Sequence, residues 1–230
     1  MRPMIDETSA VNYVPTLPYD LVEEEILSRL PVKFLLQIRC VCKSWNSLIS
    51  DPRFAKKHLS MSTMLRFHFV RCSSLLGRNT VASCPPQCIF TTDVTQLEYP
   101  SYNFDYPRRH VIVGSCNGIL CLANVLFVDD SYVVILWNPS LRKVKELPQP
   151  RYPNLSSISY AFGYDIVRDN YKVVAVLWYN VYDNSGDLLE KAVVMINTLG
   201  TNFWKNTKEF PFNSRIVHNE SGIFVSGTIN

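Results

Sequence analysis

Apolar residues recur with a different period on the two sides of residue 60. Before it the spacing is helical; the first such set, at i, i+4, i+5 and i+8, is Val22, Ile26, Leu27 and Leu30. After it the apolar residues form short β-branched runs separated by turn formers. The pattern predicts a loose tail at 1–16, a small helical domain at 17–60 and an all-β domain at 61–230.

Capping signals divide the helical domain. Asp20 and Glu23 have the spacing of a capping box, which predicts where the first helix begins. Pro31 ends that helix, and its fixed φ suits the start of a second helix at 32–39.

Two more helical elements are predicted after residue 40. Asp51 is an N-cap type of residue followed by Pro52 at the first helical position, which predicts a short last turn with Phe54 inside. Before that turn, helical spacing predicts a third helix from the apolar positions Val41, Cys42, Trp45, Leu48 and Ile49.

The helical domain carries more apolar surface than it can bury. A segment of this length buries too little area to be comfortably stable alone. Phe34, Leu35 and Leu36 are consecutive, so their side chains cannot all share one helical stripe. The surplus must pack either on the rest of the chain or on another protein.

Residues 61–230 are predicted to form an antiparallel β domain. No helix-length periodic segment interrupts the apolar runs, which disfavours βαβ units. A strand, an Asn-led turn and a second strand recur around Asn138 and Asn197, which favours propeller-like blades, with a β-sandwich as the alternative. The segment 183–187 is predicted to be a hairpin loop. The strand predictions are 111–113, 118–122, 132–137, 171–178, 192–196 and 223–225.

Composition narrows the classes of function. The net charge of +3, from 23 basic and 20 acidic residues, is too small and too evenly spread to predict a nucleic-acid partner. No apolar run approaches the roughly 20 residues of a membrane span, and no secretory signal follows Met1. The seven cysteines are therefore expected to be reduced thiols. Their spacing does not predict a metal site, and nothing in the sequence predicts a cofactor.

The order of residues in the helical domain resembles that of an F-box. Residues 17–33 (LPYDLVEEEILSRLPVK) resemble its start and residues 38–54 (IRCVCKSWNSLISDPRF) its end, in the form common in plants. The resemblance implies a three-helix module that docks on a Skp-type adaptor of a cullin–RING ubiquitin ligase. Some of the implied adaptor-binding residues must be core of the module itself. They are Leu17, Pro18, Ile26, Leu27, Leu30, Pro31, Val32, Leu35, Val41, Cys42 and Trp45.

The β domain resembles the plant F-box-associated domain, a kelch-related, propeller-like fold. The resemblance rests on GSCNGILCL at 114–122, LWNPS at 136–140, FGYD at 162–165 and DNYKVV at 169–174, with a fainter match at 222–229. It implies that this domain captures the protein destined for ubiquitination. In the family the last segment runs on into further blades, whereas this sequence stops at Asn230, so an incomplete propeller is expected.

The sequence thus predicts an α+β multidomain chain with a three-helix F-box and an incomplete, propeller-like all-β domain. The expected function is a non-enzymatic substrate-recognition subunit of an SCF-type ligase, cytoplasmic or nuclear, with a protein substrate that the sequence does not identify. One alternative is a decoy that binds the adaptor and recruits nothing. Exposed loop tyrosines, such as Tyr152, Tyr179 and Tyr182, are candidate substrate contacts.

A second alternative is a hydrolase that uses Cys116. Residues 114–118 fit a G-x-C-x-G elbow, and His218 and Asp165 would complete a Cys/His/Asp set. The elbow requires a sharp turn from a strand into a helix, whereas the residues after Gly118 are strand-like. The sequence therefore favours a turn between two strands, with Cys116 as a small core residue.

Overall fold

The computed structural model divides the chain into a helical unit, Met1–Thr63, and a β unit, Met64–Asn230. Each unit is described by itself. The residues that the structure describes are 18, 21–61, 66–72, 79–85, 95–97, 110–124, 132–209, 224–225 and 228–229.

The helical unit packs its helices around a very small core. That core consists of Leu27, Leu35 and Phe54, with half-buried apolar residues around them. The described part of this unit contains three α-helices, as the resemblance implied. The elements are a π-helical turn at Val22–Ile26, a 3₁₀ turn at Leu27–Arg29, α1 at Val32–Ile38, α2 at Lys43–Ser50 and α3 at Pro52–Met61.

The first helical turn is wider than the spacing predicted. A π-helix bonds residue i to residue i+5, so residue i+5 replaces i+4 above residue i. Leu27 accordingly packs inward at 2% exposure, whereas Ile26 is 44% exposed. The single apolar face predicted to include Ile26 is therefore wrong. Asp20 and the side chain of Glu23 lie outside the described residues, so the capping box stays a prediction.

The start of α3 follows the predicted cap. The Asp51 carboxylate accepts the backbone N–H of Arg53 at 2.8 Å, and Phe54 is buried beneath it. The helix then continues to Met61, longer than the short turn predicted. A ring nitrogen of His58 lies 2.8 Å from the carbonyl oxygen of Leu30, which ties α3 to the end of the first helical segment.

The β unit consists of antiparallel sheets. Two four-stranded up-and-down sheets have the shape of propeller blades, so the described part agrees with an incomplete propeller-like domain. All the strand predictions coincide with strands. The first sheet contains β1 (Phe67–Cys72), β2 (Asn79–Cys84) and β3 (Thr95–Leu97). The second contains β4 (His110–Cys116), β5 (Ile119–Asn124), β6 (Val134–Asn138) and β7 (Lys143–Glu146). The third contains β8 (Leu155–Asp165), β9 (Asn170–Tyr182), β10 (Leu188–Thr198) and β11 (Lys205–Glu209), and the fourth β12 (Phe224–Val225) and β13 (Thr228–Ile229).

Apolar cores join neighbouring sheets of the β unit. Successive residues of a strand point to opposite faces, so β5 serves two cores. Cys121 packs toward Phe162 and the third sheet, whereas Leu120 packs toward Val81 and the first sheet. The second sheet is thus buried on both faces, which explains why β5 is a continuous apolar run.

Candidate protein-interaction sites

The helical unit exposes more large apolar side chains than it buries. Among the residues of this unit that the structure describes, the fully buried apolar ones are the three of the core. Phe34 is 53% exposed and Val41 67% exposed. Uncovered apolar surface on this scale is typical of a protein-binding face. The exposed large apolar residues of this unit are Leu21, Ile26, Phe34, Val41, Leu59 and Met61.

The predicted adaptor-binding residues fall into three groups by burial. Leu27 and Leu35 are buried core residues of the unit, in keeping with the expectation that some of the set belong to the module's own core. Leu17 lies outside the described residues. The half-buried residues of the set are Leu30, Val32 and Trp45. The exposed residues of the set are Pro18, Ile26, Pro31, Val41 and Cys42.

Two exposed residues were not predicted as contacts. Leu21 precedes the π turn, and Phe34 lies in the first turn of α1. The Pro31 carbonyl accepts the N–H groups of Phe34 at 2.9 Å and Leu35 at 3.2 Å, which fixes the start of α1. Consecutive helical residues point about 100° apart, so burial of Leu35 turns Phe34 outward. The sequence signal for an exposed apolar residue here was the run of three consecutive apolar residues at 34–36, which cannot all be buried.

Cys42 is an exposed thiol at the N-cap of α2. Its Sγ lies 3.1 Å from the Ser44 hydroxyl oxygen. The hydrogen bond from Ser44, followed by the backbone N–H of Trp45, lowers the pKa of the Cys42 thiol. Thiolate character at a helix N-terminus makes a cysteine reactive toward alkylating reagents.

The region around Cys116 does not form a nucleophile elbow. Asn117 and Gly118 have φ angles of 50° and 74° and form a two-residue hairpin turn between β4 and β5. An elbow would lead from a strand into a helix. Burial raises the pKa of the Cys116 thiol, the opposite of what a nucleophile needs. His218 lies outside the described residues.

Other candidate sites gain little support. In the part of the chain that the structure describes, no three His, Cys, Asp or Glu side chains are grouped to hold a metal ion. No helix there is long and apolar enough to span a membrane. Of the candidate tyrosines, Tyr179 is buried against half-buried Tyr152, with ring centroids 4.5 Å apart, and Tyr182 is exposed.

Comparison with known proteins places both units in characterised families. Residues 15–57 match the family model of the F-box domain, and residues 68–230 match that of the F-box associated beta propeller domain. No solved structure matches the chain significantly.

Curated relatives come from Arabidopsis thaliana. An F-box/kelch-repeat protein is 31% identical over 98% of this chain and 61% of its own length. F-box/WD-40 repeat-containing protein 1 is 30% identical over 84% of this chain and 43% of its own length. This chain thus spans no more than 61% of either relative's length. It belongs to the family of F-box proteins that carry an F-box-associated β-propeller domain.

Proposed function

We propose that this chain is a substrate-recognition subunit of an SCF-type ubiquitin ligase. The helical unit docks on a Skp-type adaptor, and the β unit holds the protein to be ubiquitinated. The family is one of substrate adaptors and is not typically catalytic. In this proposal the chemistry belongs to partner enzymes, and this chain supplies proximity.

The observation that carries the proposal is the uncovered apolar surface of the helical unit. Four of its six exposed large apolar residues, Leu21, Ile26, Phe34 and Val41, lie in the segment that matches the F-box family model. Burying apolar surface stabilises a complex by roughly 25 cal/mol per Å². A partner that covers Phe34 and Val41 therefore gains binding energy from the residues that this small unit leaves in water.

Exposed and buried residues have different roles in the proposed complex. Ile26, Pro31 and Val41 make direct contacts, and exposed Phe34 joins them as an aromatic anchor. Leu27 and Leu35 hold the first helical segment and α1 in place from inside the unit.

Co-purification with a purified Skp-type adaptor tests the docking. We expect the full chain to bind, and Val41→Asp and Phe34→Asp each to weaken binding about tenfold or more, because a charge replaces a buried apolar contact. Leu59→Asp is the matched control, since Leu59 is exposed in the same unit but lies outside residues 15–57, the segment that matches the F-box model. Circular dichroism confirms that each variant is folded. An unbound wild-type chain, or variants that bind as well as the wild type, would refute the docking proposal.

Alkylation of Cys42 provides an independent test. In the free chain we expect iodoacetamide to modify Cys42 quickly, because this thiol is exposed and its pKa is lowered. Saturating adaptor should slow that modification and leave the slow reaction of half-buried Cys116 unchanged. A Cys40→Ser background removes the neighbouring exposed thiol. Equal Cys42 rates with and without bound adaptor would place Cys42 outside the interface.

Reconstituted ubiquitination separates the full proposal from the decoy alternative. If the chain binds the adaptor yet directs ubiquitin to no protein beyond the ligase subunits, the docking role stands and the recruiting role fails.

A further inference from the structure

Four turns lie at one end of the second and third sheets of the β unit. In the second sheet, the pairing of Leu120 with Trp137 brings the β4–β5 and β6–β7 turns to the same end. In the third sheet, the pairing of Thr198 with Lys172 does the same for the β8–β9 and β10–β11 turns. A hydrogen bond of 3.1 Å from the Asn117 amide to the Tyr171 hydroxyl links the two sheets there. The exposed residues that define this turn face are Leu141, Arg142, Ile166, Val167, Arg168 and Phe203.

The turn face presents apolar side chains where turns normally carry polar ones. Val167 is 93% exposed and Ile166 is 73% exposed, side by side at the tip of the β8–β9 turn. Leu141 and Phe203 are exposed on the β6–β7 and β10–β11 turns. Ile166 and Val167 together form an adjacent apolar pair in water, and such a pair at a turn tip is a candidate for contact with another protein.

Hydrogen bonds fix the tip of the β8–β9 turn. The Asp165 carboxylate accepts the backbone N–H groups of Val167 at 3.0 Å and Arg168 at 3.1 Å. It also forms an ion pair with the Lys172 ammonium, and these contacts lower the pKa of Asp165. The Tyr164 hydroxyl donates to Asp169 at the other side of the turn, which raises the pKa of Tyr164 to about 12.

The neighbouring turns are held in the same way. The Asn138 side chain accepts the N–H of Leu141 at 3.0 Å. The buried amide of Asn197 donates to the carbonyl oxygen of Phe203 at 2.9 Å. A surface fixed before binding loses little conformational entropy when a partner docks.

The charges around the turn face favour an acidic partner. The four turns and the strand residues beside them carry four cations, Arg142, Lys143, Arg168 and Lys205. They carry two carboxylates, Asp165 and Asp169, which both accept hydrogen bonds, and Asp165 also lies 3.7 Å from the Arg168 guanidinium. Four cations against two carboxylates leave this end with a net positive charge. The hairpin tip at 181–190, at the opposite end of β9 and β10, instead carries three carboxylates and no cation.

We propose that the turn face binds an extended segment of the substrate protein in which acidic residues alternate with apolar ones. Apolar side chains of the segment pack on Ile166 and Val167, and its carboxylates pair with Arg168 and the neighbouring cations. Charge complementarity of this kind speeds encounter and selects partners. This inference rests on the proposed recruiting function and specifies the class of segment recognised.

Selection from random peptides displayed on phage tests the inference, using the full chain bound to its adaptor. We expect enriched peptides to be acidic and apolar, and their synthetic forms to bind by fluorescence anisotropy. The double variant Val167→Ser, Arg168→Glu should weaken that binding about tenfold or more. Added salt should also weaken it, as it does for exposed charge pairs. The matched control is Leu188→Ser with Leu189→Ser, which removes exposed apolar groups from the opposite hairpin and should change nothing.

Several results would overturn the inference. These are enrichment of basic or uncharged peptides, equal binding by the turn-face variant, or no enrichment at all. Concentration-dependent self-association in sedimentation, abolished by the same double variant, would show that a second copy occupies the surface instead. Adaptor binding by the same preparation reports separately on the proposed function. If the wild-type chain does not bind the adaptor, the proposed function is refuted. If it binds the adaptor but selects no acidic and apolar peptides, only the turn-face inference is refuted.

Discussion

The two units differ in where their apolar side chains lie. The helical unit buries a core of three large residues and leaves Phe34 and Val41 in water. The β unit packs sheet against sheet, and its two largest described cores bury residues such as Phe162 and Trp137 almost completely. The helical unit is therefore expected to depend on a partner for much of its stability, whereas the described sheets stabilise one another.

The largest expected effect comes from the core between the second and third sheets. Phe162→Ala should lower the free energy of unfolding of the β unit by about 3–5 kcal/mol, because it empties a site whose side chain is fully buried. Urea unfolding followed by tryptophan fluorescence measures the change. Ile166→Ala, on an exposed turn, is the control and should cost less than about 0.5 kcal/mol. A loss below about 1 kcal/mol for Phe162→Ala would mean that this core does not hold the sheets together.

The stability of the helical unit should depend both on its core residues and on the binding of its partner. Leu35→Ala should cost about 2–5 kcal/mol, and a unit with so small a core would then be largely unfolded. A Skp-type adaptor at a hundred times its Kd should restore about 2.7 kcal/mol by mass action. Hydrogen exchange with and without adaptor measures the change in stability of each unit separately. Equal protection of both units by the adaptor would contradict the difference drawn between them.

Periodicity predicted most of the elements because it records which face of a helix or strand is buried. It could not distinguish an α-turn from the π turn at Val22–Ile26, since both leave apolar residues four or five positions apart. The strand β8 was overlooked, although Ile158, Tyr160 and Phe162 alternate with small residues that face the other way.

The candidate sites were less predictable than the fold. The resemblance implied a contact at Leu35 and none at Phe34, but the sequence could not show that Leu35 is buried and Phe34 exposed, because only packing decides which of two adjacent apolar residues is buried. The turn face was not predicted, because its turns are far apart in sequence and meet only through strand pairing. Asn117 and Tyr171, which link two of these turns, are 54 positions apart.

A smaller effect should appear where β4 of the second sheet packs against β8 of the third. A Cβ added at Gly114 in β4 would lie 3.3 Å from both the Cβ and the carbonyl oxygen of Phe162 in β8. Those atoms belong to a buried strand, so Gly114→Ala should cost about 1–3 kcal/mol despite the stiffer unfolded chain. Ser115→Ala, at the next and exposed position, is the control. Unchanged stability of the Gly114 variant in urea would show that the two sheets can separate without loss.

The smallest effects concern one carboxylate in each unit. Arg53 lowers the pKa of Asp51, and Lys172 lowers that of Asp165. A carboxylate whose pKa is depressed by folding stabilises the fold above its unfolded pKa, about 3.9, and that contribution disappears as the pH falls through the lower folded value. Asp51→Asn should therefore flatten the acid side of the stability curve of the helical unit alone, and Asp165→Asn that of the β unit alone. Asparagine can still cap α3, so the variant of Asp51 separates charge from capping. Thermal melts between pH 2 and pH 7, about the range in which carboxylates titrate, measure both. If either substitution altered the acid response of both units equally, the two units would unfold together. Their difference in packing would then not give them independent stability.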